Sequence, residues 1–94
     1  MNCIEQIISG IPVGFMFDSH YIIQRLIKDY SDEYLNFCAG FQGEKITLTS
    51  HQQIGHQIAK LEGVLVHREP SQSWSMNIHC NGSECALWSR ISAA

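Results

Sequence analysis

Three features of the sequence predict an α+β fold, with three or four helices packed on a small antiparallel β-sheet. Apolar residues recur at three- and four-residue spacing as far as Leu61, the period changes to two after Gly63, and Ser-Gly, Gln-Gly and Asn-Gly pairs punctuate the chain. With 94 residues, 45% of them apolar, the chain fits one domain, 1–94, whose core is large enough to offset the entropy lost on ordering it. Residues 1–17 read as a packed N-terminal arm and 18–94 as the core unit.

Asn2 to Ile8 predicts a short helix stopped by Ser9-Gly10, after which Ile11-Pro12-Val13-Gly14 breaks the helix and leads extended into Phe15-Met16-Phe17. Asp18 or Ser19 then caps a helix whose Ile22, Ile23, Leu26, Ile27 and Tyr30 form one buried stripe. Ser31 is placed to cap the next helix, Asp32 and Glu33 suit its positive end, and Gly40 stops it. Its core contacts are Tyr34, Leu35, Phe37, Cys38 and Phe41. After the Gln42-Gly43 turn, Lys45-Ile46-Thr47-Leu48-Thr49 alternates polar with apolar and predicts a short strand.

Ser50 and Gln53 have the spacing of a capping box, and Ile54, Ile58 and Leu61 line one face of a further helix that Gly63 closes. Its opposite face carries Gln52, Gln53, His56, Gln57 and Lys60. Val64 to Arg68 and Ser73 to His79 then read as two strands paired about a turn at Pro70-Ser71, with Trp74, Met76 and Ile78 on one side. Asn81-Gly82 signals a second turn, and Cys85-Ala86-Leu87-Trp88 extends the pair into a meander. Trp74 and Trp88 are expected to cover the helices as core, and either one, if exposed, would mark a binding patch.

Charge and cysteine usage narrow the functional classes. Six basic and nine acidic side chains give a formal charge of -3, so no long-range field draws phosphate toward the protein. Apolar runs stay well short of the roughly 18 residues that span a bilayer, and Glu5 interrupts the N-terminus where a secretory signal would be apolar; a cytoplasmic protein without membrane contact is expected. Cys3, Cys38, Cys80 and Cys85 are accordingly read as thiols, with a Cys80–Cys85 bridge open only to an oxidised chain.

Catalysis, metals and cofactors are not expected. His79, Cys80, Cys85 and His67 are ligand types for zinc, but the two cysteines have four residues between them and no second regular pair follows. His51 and His56, five apart on a helix, point to different faces. Cys38 and His20 could pair as nucleophile and base, yet Cys38 lies on an apolar helix face where a thiol behaves as a small hydrophobe. No phosphate loop, nucleophile elbow or carboxylate pair is present.

Helix, helix, short strand, helix and then a ribbon, over the span Thr47 to Ile78, resembles the winged helix-turn-helix arrangement. That resemblance implies that Ser50 to Leu61 enters the major groove of DNA, with Gln52, Gln53, His56 and Gln57 reading bases. Lys45, Lys60 and Arg68 would contact phosphate, and Ser71, Gln72 and Ser73 would form the wing tip. Otherwise the C-terminal third resembles short uncharacterised bacterial proteins. The expected function is a non-catalytic binding or regulatory module, with DNA the first partner to test and a homodimer a natural form. The alternative is a protein-binding adaptor, or an inhibitor of the kind mobile elements encode, acting through an aromatic sheet surface around Trp74 and Trp88.

Overall fold

The computed structural model describes residues 2–41, 43 and 46–92. Among these residues four helices precede most of the sheet: α1 (Asn2–Ser9), β1 (Met16–Asp18), α2 (Ser19–Asp29), α3 (Ser31–Ala39), α4 (Ile46–Ala59), β2 (Val66–Met76) and β3 (Gly82–Arg90). The three strands form one antiparallel sheet in the order β1-β3-β2, so the last strand runs between the other two.

Each helix contributes the stripe that its apolar spacing dictates. Cys3, Ile4, Ile7 and Ile8 of α1 meet Ile22, Ile23 and Leu26 of α2, and Ile54 and Ile58 of α4 close over them against Val66 and Trp88 of the sheet. Within the segment read as a packed arm, α1 lies inside this cluster, with Ile4 and Ile8 at 1% and 0% exposure, whereas Val13, Phe15 and Met16 are exposed. Arg90 of β3 reinforces the junction by donating from Nε to the Ile8 carbonyl at 3.1 Å.

The predicted α1 and α2 stand as read. Asp18 ends β1 in an extended conformation and its carboxylate accepts the Tyr21 N–H at 2.8 Å, which makes it the N-cap of α2. Ser31, by contrast, lies inside α3, whose N-cap position is Tyr30 with no side-chain hydrogen bond. Tyr30 is already committed there, its N–H to Leu26 and its hydroxyl donating to Gln6 Oε1 at 3.0 Å. Leu35 faces away from the core and is exposed, while Tyr34 is buried.

Two sequence-based expectations are overturned. Ile46 to Thr49 is the first turn of α4, not a strand; Lys45 lies outside the described residues. Four alternating residues cannot separate helix from strand by periodicity, and the contacts of the helix that follows decide the outcome. Ser50 is consequently no cap but a fully buried member of the stripe that continues through Ile54 and Ile58.

The second correction concerns the ribbon. Pro70-Ser71 does not turn the chain: β2 runs through it, and the register against β3 shifts between Arg68 and Gln72. Proline lacks the N–H that a ladder needs, so it suits a bulge as well as a turn. Val66 to Arg68 and Ser73 to Met76 therefore pair with β3 rather than with each other, giving a hairpin in place of a meander, while Val64 and Leu65 belong to the turn that precedes β2. The reversal lies at Asn77 to Asn81, where the Asn77 side chain accepts the His79 and Asn81 N–H groups and Cys80 adopts a left-handed φ of 61°.

Candidate functional site

The predicted interface residues fall into three groups. Gln52, His56 and Lys60 lie one turn apart and are all exposed, a polar row on the side of α4 away from Ile54 and Ile58. Helical bonding carries the row past Ala59, because Lys60 N–H donates to His56 O at 3.1 Å. Gln53 and Gln57 are half-buried on the flank of α4, and Gln57 is engaged within the chain.

Ser71 and Gln72 are exposed but sit at the bulge in mid-ribbon, so the predicted wing tip is misplaced; the tip is Asn77 to Asn81. Arg68, also exposed, holds its guanidinium 5.5 Å from the Trp88 ring centre, while its backbone N–H donates to Glu62 Oε2 at 2.7 Å. Trp88 is core, 3% exposed, and its indole N–H donates to the Ser19 hydroxyl. Trp74 is the reverse, 69% exposed on the outer face of the ribbon beside Met76. A Cβ on Gly82 would run into the indole where it now lies, so any side chain there displaces the ring.

The inner face of the ribbon carries a polar cluster that sequence reasoning missed. Ser73 pairs with Cys85 and Ser75 with Ser83, so alternation turns all four toward the start of α2, where Asp18 and His20 stand. Ser73 Oγ donates to Asp18 Oδ2 at 2.7 Å, and the two ring nitrogens of His20 lie 2.7 Å from Ser75 Oγ and 3.3 Å from Ser83 Oγ. Burial alone would raise the Asp18 carboxyl, but the hydrogen bonds from Ser73, Tyr21 and Ser75, with His20 nearby, outweigh it and hold it below the usual carboxylate value. Burial, aided by the Asp18 charge, pushes the Cys85 thiol up against hydrogen bonds from the His20 and Ser19 backbone and from Ser75.

A cavity of about 570 Å³ separates this cluster from α4, with His20, Cys85 and Ser83 on one wall, His51 and Gln52 on another, and His79 at the hairpin tip. His51 Nε2 lies 2.7 Å from the Tyr34 hydroxyl. Burial lowers the His51 pKa, and His79 and His20 press in the same direction. Burial and the neighbouring Cys38 push the Tyr34 phenol up to about 12, so the phenol stays protonated and can donate to a neutral imidazole. His20 and Cys38, the pair weighed as base and nucleophile, keep different company: His20 bonds the ribbon serines and Cys38 lies beside Tyr34.

The signals for the cluster were the Asp18-x-His20 spacing at a helix cap and the Ser73-x-Ser75 and Ser83-Glu84-Cys85 runs of the ribbon. None of these meets another until the register of β2 on β3 is known. His67, one of the zinc-type residues of the sequence, instead faces Glu62 at 3.3 Å. Among the described residues no helix is long and apolar enough to cross a membrane. Comparison of the chain with known protein families, curated proteins and solved structures finds no match.

Proposed function

We propose that the chain is a non-catalytic binding module of winged-helix-like form that recognises DNA through α4 and the β2–β3 ribbon. The reading rests on one observation above all: the outer row of α4, Gln52, His56 and Lys60, is exposed, polar and free of acidic side chains from Ile46 to Leu61, although the chain as a whole is acidic. Supporting it, the sheet order β1-β3-β2, with β1 leading into helices and a hairpin following α4, is compatible with a winged-helix-like arrangement. Gln52 and His56 supply groups that can bond base edges, and Lys60 and Arg68 supply cations for phosphate.

The test is binding of the chain to labelled duplex DNA at two ionic strengths. With two phosphate contacts, raising salt from about 50 to about 200 mM weakens binding roughly tenfold, and K60A with R68A flattens that dependence. Absence of binding at the lower salt refutes the reading.

The exposure of Trp74, with Met76 beside it, favours a second reading, a protein-binding adaptor or homodimer that uses the outer ribbon face. Sedimentation separates the two: W74A abolishes association with a protein partner or second copy but leaves the salt-dependent binding of DNA in place.

A further inference from the structure

The polar cluster between the ribbon and α2 has no part in either surface, and its composition is that of a metal site. Asp18, His20 and Cys85 each offer one ligand atom, and these atoms all lie within 4.8 Å of one another in a half-buried setting. They come from the end of β1, the first turn of α2 and the middle of β3, so the fold, not local sequence, assembles them. A carboxylate oxygen, an imidazole nitrogen and a sulfur suit a borderline-soft ion such as zinc; calcium and magnesium take oxygen donors and gain nothing from a thiolate.

A second observation marks the centre of the group. Ribbon hydroxyls converge on two of its three members: Ser75 Oγ lies 2.7 Å from His20 Nδ1, and Ser73 Oγ donates to Asp18 Oδ2 at 2.7 Å.

We infer that Asp18, His20 and Cys85 bind one zinc-class divalent cation, with the remaining position taken by water or by the Ser75 hydroxyl. Binding releases the Cys85 proton to solvent and leaves the thiolate on the ion. The imidazole nitrogen that is not a ligand keeps a ribbon serine as its partner, an outer contact that fixes the ring. The ion then ties β3 to the start of α2 and sets the angle of the ribbon to the helices. That role stands whether α4 binds DNA or nothing.

The experiment uses the full chain, reduced and stripped with a chelator that is then removed, and titrates it with Co²⁺ alone. One equivalent is taken up with thiolate-to-cobalt absorption, Zn²⁺ displaces it, and Zn²⁺ well above its Kd raises the melting temperature by more than about 5 °C. C85S abolishes the absorption, and H20Q and D18N each weaken binding by at least about tenfold. C80S, which removes the exposed thiol at the hairpin tip, changes neither readout. No thiolate absorption in the unmodified chain, or absorption that survives C85S or is lost in C80S, overturns the assignment. Should C85S fail to fold by far-UV dichroism, H20Q and D18N decide it, and unchanged affinity in both overturns the site.

Discussion

Single atoms show where this fold carries unmet demands. Ser50 is fully buried on the core stripe of α4, and its hydroxyl has no hydrogen-bond partner among the described residues. Such a group costs its desolvation without return, so S50A is expected to leave stability unchanged or raise it by about 1 kcal/mol, read as a shift of the urea midpoint at constant slope. The pair Tyr34–His51 makes the opposite case. His51 is held neutral by burial, with Tyr34 of α3, His20 of α2 and His79 of the ribbon tip facing it. A histidine whose folded pKa is depressed stabilises the fold fully above its unfolded value, about 6.5, and the contribution is lost as pH falls through the folded value. In chelator-containing buffer, stability measured from pH 8 downward therefore declines below about pH 6.5. H51Q removes that decline and leaves the later one, in which protonation of Asp18, below the usual carboxylate range, unties Ser73 and the cap of α2.

At the scale of elements, legibility followed how far a segment's structure depends on its own neighbours in sequence. Asp18 capping α2 and the stripe Ile22, Ile23 and Leu26 are local, and both could be read directly. The run Ile46 to Thr49 is ambiguous because strand and helix agree with four alternating residues, and the choice falls to the buried Ser50, Ile54 and Ile58 that follow it. Pro70 was misread because a bulge and a turn use the same residue, and only the pairing of both halves of β2 with β3 separates them. The metal-type cluster was out of reach for the same reason, as it exists only in the register that sets Ser73 opposite Cys85. The ribbon also carries a prediction of its own. G82A places a methyl group where the Trp74 indole lies, and that indole is exposed and free to swing outward. Stability should change by less than about 0.5 kcal/mol while Trp74 leaves the ribbon. The check is a red shift of the tryptophan emission at an unchanged urea midpoint.

For the molecule as a whole, the question is whether residues 1–17 are an appendage or part of the folding unit. Ile8 of α1, buried Ile22 and Leu26 of α2, Ile54 of α4 and Trp88 of β3 belong to one continuous apolar cluster, and Arg90 of β3 bonds the Ile8 carbonyl. A cluster shared by all layers makes unfolding a single transition, because no layer keeps its apolar face covered once another departs. I8A empties a fully buried site, and deleting that much side chain costs about 2–5 kcal/mol, a large share of the 5–15 kcal/mol that holds a domain of this size. The expected outcome is that helical dichroism and the Trp88 environment lose stability together, with coincident midpoints at lower urea. An appendage would behave differently: I8A would reduce the helical signal early while the midpoint reported by Trp88, deep in the sheet, stayed where it was. Coincidence therefore measures how far α1 supports the surface offered by α4 and the ribbon, two elements it does not itself contain.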